Sequence, residues 1–152
     1  MFKTHLMISF LIGLLTFKFF SINKFVFITI VVLAGIIPDI DIPTSKIGRK
    51  TWPISKLLNL IYGHRGLIHS IFIPLLVLWV FFYFDWTEYG LAIFIGYIGH
   101  LIGDALSWEG IKFLHPVSRF RLRGFIKVGG FLEYILFIML LAISFVNILK
   151  LF

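Results

Sequence analysis

The sequence predicts an all-α fold: a polytopic membrane bundle of about five helices, forming one domain over residues 1–152, with a polar site at one membrane face. Of the 152 residues, 60% are hydrophobic and only 14% are charged, and the mean hydropathy is +1.03. A soluble domain is nearer ~45–50% apolar and ~25% charged. Five apolar runs alternate with polar connections, and the scarce His and Asp residues gather at the ends of those runs.

The first two apolar runs are short. One is expected over about 5–20, and a tight turn at 21–24 leads to a second over about 25–37, which Pro38 ends. A full crossing takes ~20 residues. We therefore expect the first helix to be tilted or partly re-entrant.

The third helix follows the first long polar connection. Residues 44–63 are basic and predict an interfacial segment with a short amphipathic helix around 54–62. The chain then enters a helix that ends at about Phe84.

The fourth and fifth helices flank the second polar connection. The fourth is expected over about 89–106, where Gly99 and Gly103 lie four residues apart and allow a neighbouring helix to approach closely. The connection covers 107–130, and the fifth helix covers about 131–149.

Alternating spans would bring most of the polar residues to one membrane face. That face receives the starts of helices 1, 3 and 5 and the ends of helices 2 and 4. Ionisable residues inside a membrane are expensive and usually functional, so this convergence predicts a site. The residues concerned are His5, Asp39, Asp41, His64, His69, His100, Asp104, Glu109 and Glu133.

The basic residues predict which side this face occupies. Of the 14 Lys and Arg, three (Lys18, Lys24 and Lys150) fall on the opposite face, which leaves 11 on the face of the site. The positive-inside rule then places the site on the cytoplasmic side of the cell membrane.

His100 and Asp104 form the central motif. They are four residues apart on a predicted helix, so their side chains share one face, and Ser107 roughly extends it. An imidazole and a carboxylate in this arrangement make half of a metal site. The alternative is a structural hydrogen bond inside the bundle.

The remaining donors come from other parts of the chain. Asp39 and Asp41 follow a helix end and could bind metal, cap the helix or pair with Arg49 and Arg65. His64 and His69 flank the start of the third helix, where interfacial histidines are also common. With His5 and the central pair, the set reaches four imidazoles and three carboxylates.

This donor set exceeds the needs of one ion. A tetrahedral catalytic zinc takes about three protein ligands, so we expect two ions, or one ion with a His and an acid left for proton transfer. The chain has no cysteine. Nitrogen and oxygen donors without thiolate suit Zn²⁺, Mn²⁺ or Fe, and we expect Zn²⁺ or Mn²⁺.

Four motifs in order resemble the YdjM-like inner-membrane proteins, a family described as membrane-bound metal-dependent hydrolases. They are Thr4-His5, Pro38-Asp39-Ile40-Asp41, His64-Arg65-Gly66-x-x-His69-Ser70 and Gly96-Tyr97-x-x-His100-x-x-x-Asp104-x-x-x-x-Gly110. The resemblance covers about residues 4–135. It implies that the metal ligands are His5, Asp39, Asp41, His64, His69, His100 and Asp104. Ile68 and Ser107 stand where the family pattern has Thr.

The predicted function is hydrolysis at the cytoplasmic membrane surface. The metal would activate a water, His69, Asp41 or Asp39 would accept a proton, and Arg65 or a second ion would stabilise the anionic transition state. The expected substrate is a phosphoester or ester, lipid-derived or small, and the expected partners are membrane lipids.

Two other classes of function stay open at this point. One is a non-catalytic membrane protein that binds or transports metal, although a transport path would need ligands near the bilayer midplane. The other is a protein that recruits a soluble partner through its basic loops. No nucleic-acid partner is expected, because the loops contain no recognisable module. The basic run Arg119–Arg123 suits lipid headgroups or a substrate phosphate.

Overall fold

Five α-helices make up most of the chain in the computed structural model, which describes residues 1–41 and 67–150. In chain order they are α1 (Phe2–Thr16), α2 (Lys24–Ala34), α3 (Phe72–Tyr83), α4 (Thr87–Leu106) and α5 (Phe131–Leu149). Short 3-10 helices lie at Phe17–Phe19, Ile37–Asp41 and Leu67–His69. The described ranges contain no β-strand beyond two isolated bridges within the 107–130 connection. The predicted all-α architecture of about five helices is confirmed.

The end of α2 differs from the prediction. The helix ends at Ala34 rather than near residue 37, and the chain continues as the 3-10 helix Ile37–Asp41. Pro38 explains the early end, because it has no N–H to donate to the carbonyl of Ala34, four residues earlier, and its ring clashes with that carbonyl in an α-helix. The site motif at Asp39 therefore lies in a 3-10 turn. The short helix expected around 54–62 lies outside the described residues.

Three of the helices are long and apolar enough to cross a membrane. They are α1 with its 3-10 extension (Phe2–Phe19), α4 and α5. The 11 residues of α2 and the 12 residues of α3 rise only about 16–18 Å at ~1.5 Å per residue. A hydrocarbon core is ~30 Å thick. Among the described residues, three helices are thus long enough for a full span, and two shorter helices complete the bundle.

Helix α4 lies at the centre of the bundle. It packs against α1, α2 and α3, and 50% of its span is buried. Helix α5 packs on α1, and only 6% of its span is buried. The bundle is therefore organised around α4, and α5 leaves most of its apolar surface for lipid.

Glycines on α4 allow this close packing. A Cβ at Gly96 would overlap the carbonyl oxygen of Val31 on α2, and a Cβ at Gly103 would overlap the ring of His5 on α1. At Gly99 it would lie 3.2 Å from Ser9 Oγ. The close approach predicted at Gly99 and Gly103 is confirmed, and Gly96 extends it. At Gly103 the missing side chain is what makes room for a histidine of the site.

Candidate metal centre

Four separate elements bring polar side chains together at one end of the bundle. The first turn of α1, the 3-10 helix after α2, the 3-10 helix before α3 and the last two turns of α4 each contribute. The side chains are nearly excluded from solvent, with exposed fractions from 0% to 9%; they are His5, Asp39, His69, His100 and Asp104. A group this polar inside an apolar bundle needs internal compensation for its lost hydration.

In the described part of the chain, three imidazoles surround the Asp104 carboxylate. The distance from Nε2 of His5 to Oδ1 is 3.5 Å, and Nε2 of His69 and of His100 lie 3.5 and 3.6 Å from Oδ2. A good hydrogen bond would be ~2.7–3.2 Å. Ligand atoms around a tetrahedral zinc, with bonds of ~2.0–2.1 Å, are about 3.3 Å apart. The observed spacing is therefore closer to that of metal ligands than to that of strong hydrogen bonds.

The ring of His100 is oriented by a backbone carbonyl. Its Nδ1 lies 2.9 Å from the carbonyl oxygen of Gly35. A carbonyl oxygen only accepts, so we assign the proton to Nδ1. Nε2 then carries a lone pair and faces the Asp104 carboxylate, which is also an acceptor when ionised. Two facing acceptors need a cation or a proton between them, and metal-binding histidines commonly show this carbonyl contact on the other nitrogen.

The ring of His5 stacks on that of His100. The ring centroids are 4.2 Å apart and the planes are inclined by 19°. Within the described residues, His5 Nδ1 and His100 Nε2 have no hydrogen-bond partner. The stacking holds both rings in place, so both Nε2 atoms are directed toward Asp104.

The segment that carries His69 is fixed on two sides. The Tyr97 hydroxyl of α4 donates a hydrogen bond to the carbonyl of Ile68, and the amide of Ile71 donates to the carbonyl of Phe113 at 3.0 Å. Tyr97 lies three residues before His100, on the same helical face. No role for Tyr97 was predicted from the sequence, although its spacing from His100 is a signal that could have indicated one.

Two groups of donors share His100. His5, His100 and Asp104 form one, and Asp39, His69 and His100 form the other; within each, the donor atoms lie within 4.8 Å of one another. These buried groups could hold a metal ion. Their overlap leaves both one ion and two ions open, and the identity of the metal stays a prediction.

Some predicted site residues fall outside this description. His64 and Arg65 lie outside the described residues. Asp41 ends the 3-10 helix Ile37–Asp41, but the description does not extend to its side chain. The roles expected for all three stay predictions.

Glu133 lies at the same end of the bundle but has different partners. Its Oε1 accepts a hydrogen bond from Thr4 Oγ1 at 2.8 Å, and its Oε2 accepts one from the Gly129 amide at 2.7 Å. These contacts join α5 to α1. A carboxylate at this position is also a favourable charge in the first turn of a helix.

Ser107 closes α4 rather than extending the site. Its Oγ donates to the Asp104 carbonyl at 2.7 Å and accepts from the Gly110 amide at 3.1 Å. The expectation that Ser107 continues the face of His100 and Asp104 is therefore wrong. The helix ends at Leu106, and the backbone of Ser107 is extended.

Comparison with known proteins gives one family. A family model described as YdjM inner membrane protein matches residues 1–151. The chain is 37% identical over 103 residues to YvsG of Bacillus subtilis, a protein named as uncharacterized, covering 66% of this chain and 64% of YvsG. It is 33% identical over 98 residues to the inner membrane protein YdjM of Escherichia coli, covering 60% of this chain and 50% of YdjM.

The matched segment thus spans half to two thirds of the length of these relatives. No solved structure gives a significant match to the chain. The family match over nearly every residue agrees with the three helices, among the described residues, that are long and apolar enough to cross a membrane. The chain belongs to the YdjM inner membrane protein family.

Proposed function

We propose that this protein is a metal-dependent hydrolase of the membrane. The observation that carries the proposal is the orientation of His100: Nδ1 faces the Gly35 carbonyl, and Nε2 faces the Asp104 carboxylate. We propose Zn²⁺ or Mn²⁺ as the metal, held by His5, His69, His100 and Asp104 with Asp39 beside them. With the proton of His100 on Nδ1, its Nε2 would ligate one ion, and a second ion would need the other donors.

A bound divalent ion supplies a Lewis acid and, near neutral pH, an activated water. The residues of the chain would do the rest. Asp39 and His69 belong to the second group of donors, so whichever of them is not a ligand is placed to accept a proton. Asp41 and Arg65, predicted from the sequence, would assist in proton transfer and in binding an anionic group.

The proposed substrate is a phosphoester or ester in a lipid. Two observations support this class. Asp104 lies two residues before the end of α4, about 3 Å from it along the helix axis, which is near headgroup depth. The basic residues concentrated on this side would attract an anionic headgroup. Their distribution also supports a cytoplasmic site.

The proposal is tested by activity in lipid nanodiscs. Purified protein loaded with Zn²⁺ or Mn²⁺ is given anionic phospholipid, and release of phosphate, headgroup or fatty acid is followed. We expect His100→Ala and Asp104→Asn to lower the rate by at least about 100-fold. Glu88→Gln, at the other end of α4, is the matched control and should keep the rate. Full activity in the two site variants on an identified lipid would overturn the mechanism.

One observation favours a second candidate, a metal site without catalysis. The side chains of His69 and His100 have 0% exposure, and a hydrolase needs a route by which substrate reaches the metal. A fully closed site would bind metal for stability. Stoichiometric metal with no hydrolysis of any tested ester or phosphoester would favour this candidate.

A further inference from the structure

The connection between α4 and α5 is a folded element at the same end of the bundle as the metal centre. It begins directly after Leu106 and ends before Phe131. Ile111 and Leu122 exchange two backbone hydrogen bonds, of 2.8 and 2.9 Å, and the Ile126 amide donates to the Leu106 carbonyl at 3.1 Å. These contacts hold residues 107–130, here called the α4–α5 hairpin, against the end of the helices.

Charged and apolar side chains alternate along the outer part of this hairpin. The sequence from residue 119 reads Arg119-Phe120-Arg121-Leu122-Arg123. Leu122 pairs with Ile111 in an isolated antiparallel bridge. Arg119 and Arg121 flank the exposed Phe120 in the sequence, and Arg121 and Arg123 flank the exposed Leu122.

Large apolar side chains of the hairpin remain exposed. The exposed fractions are 79% for Val117, 68% for Phe120 and 69% for Phe125. The three arginines are exposed as well. Exposed aromatic and aliphatic groups next to arginines are typical of segments that lie in a membrane interface, with apolar groups in the acyl boundary and cations at the phosphates.

The charge of the hairpin indicates which lipid it suits. Residues 107–130 contain five basic side chains, Lys112, Arg119, Arg121, Arg123 and Lys127, against the one carboxylate of Glu109. The difference, five minus one, is a net charge of +4. A surface of this charge is complementary to anionic phospholipid headgroups, and Arg is the side chain best suited to phosphate oxygens.

We propose that the α4–α5 hairpin binds an anionic phospholipid surface, with Phe120, Phe125 and Val117 below the phosphates and the three arginines on them. This function does not depend on metal binding or hydrolysis. It would concentrate anionic lipid beside the metal centre, so it adds a recruitment surface to the proposed hydrolase. A nucleic acid or a soluble protein could also bind a basic surface. Only lipid binding would place the Phe120 side chain below the phosphates, so the depth of Phe120 in the bilayer distinguishes the three.

Spin labelling measures that depth directly. The chain has no cysteine, so Phe120→Cys and Arg121→Cys each give one labelling position in an otherwise unchanged protein. In phosphatidylglycerol vesicles we expect the label at 120 to collide with oxygen more than with a water-soluble nickel chelate, and the label at 121 to show the reverse. Equal, water-like access at both positions would overturn the proposal and favour a soluble partner.

The preference for lipid charge gives an independent test. Spin-labelled phosphatidylglycerol and phosphatidylcholine are compared for the fraction immobilised by the protein in nanodiscs. We expect the selectivity for phosphatidylglycerol to fall at least about threefold in the triple variant Arg119→Gln, Arg121→Gln, Arg123→Gln. The triple Arg→Lys variant keeps the charge and should retain most of the selectivity for phosphatidylglycerol.

The matched control removes three charges from the other end of the bundle, with Lys18→Gln, Lys24→Gln and Lys150→Gln. This variant should keep the wild-type selectivity for phosphatidylglycerol over phosphatidylcholine. Unchanged selectivity in the triple Arg→Gln variant, or an equal loss in the lysine control, would contradict specific binding by the hairpin. Neither result bears on metal content, so this proposal and the hydrolase proposal fail separately.

Discussion

Helix α4 carries a carboxylate near each end, and the two have different surroundings. Glu88, in the first turn, accepts hydrogen bonds from the amides of Ser21 and Ile22 at 3.0 and 3.1 Å. Asp104, near the last turn, is surrounded by three imidazole Nε2 atoms at 3.5–3.6 Å. The first carboxylate has backbone donors at ordinary hydrogen-bond distance. The second has donors of metal-ligand type at metal-ligand spacing.

This difference in surroundings identifies Glu88 as a structural carboxylate and Asp104 as a candidate metal ligand on the same helix. Glu88 joins α4 to the turn between α1 and α2, and its charge is balanced by backbone amides. At Asp104, the proton of His100 is directed away, toward Gly35. The two facing acceptors need a cation or a proton between them, and a metal ion at this point could satisfy several buried groups at once.

The largest expected effect is on metal affinity. Asp104→Asn keeps the size of the side chain but removes the charge, so we expect affinity for Zn²⁺ or Mn²⁺ to fall by more than about 100-fold. Glu88→Gln makes the same chemical change at the other end of α4 and should leave affinity unchanged. Competition with a chromogenic chelator in detergent measures both. Equal affinities in the two variants would remove the distinction between the carboxylates.

Metal removal should destabilise the wild-type protein. Binding to the folded state adds about 2.7 kcal/mol when the free metal is 100 times Kd. A strong chelator should therefore lower the unfolding temperature of the wild type and leave that of Asp104→Asn nearly unchanged. Thermal unfolding followed by circular dichroism is the measurement. A similar shift in both proteins would indicate that the chelator acts elsewhere.

The helix contact that brings the donors together should be sensitive to one methyl group. Gly96→Ala places a Cβ against the Val31 carbonyl, and we expect a loss of about 1–3 kcal/mol from overpacking. Gly13→Ala is the control, because its Cβ would meet Ile28 at an ordinary 3.6 Å. That variant should be neutral or gain up to ~1 kcal/mol from helix propensity. Equal stabilities in denaturant titration would argue against the tight α2–α4 contact.

The smallest effect is expected at Glu88 itself. Glu88→Gln weakens two hydrogen bonds at a partly exposed position, for which we expect a loss of about 0.5–1.5 kcal/mol. Metal content and hydrolysis should not change. A loss of metal in this variant, measured by elemental analysis, would mean that the two ends of α4 are not independent.

Much of the fold follows from hydropathy and turn signals. The five helices, their order and the close approach at Gly99 and Gly103 were predicted, since apolar runs and glycine spacing are local features of the sequence. The residue at which α2 ends and the short lengths of α2 and α3 were harder to predict from the sequence. They depend on how Pro38 and the tertiary contacts divide a continuous apolar run between α-helix and 3-10 helix.

The site was predicted in part for the same reason. His100 and Asp104 share a helical face whatever the tertiary fold, and placing the helix ends on one membrane face was enough to gather His5, Asp39 and His69 near them. The ligand set expected from the sequence leaves Glu133 out, but its contacts with Thr4 and Gly129 could not be predicted, because these groups come together only in the folded bundle. The contact between the Gly35 carbonyl and His100 also forms only in the folded bundle, so the sequence could not predict it.

The most direct test of the central claim is the metal content of the purified protein. Elemental analysis would compare wild type with the double variant His100→Ala, Asp104→Ala after reconstitution with Zn²⁺ or Mn²⁺. We expect about one to two ions per wild-type chain and none in the variant. The absence of stoichiometric metal in the wild type would contradict this expectation, and would leave the histidines and Asp104 as a buried polar network without a metal.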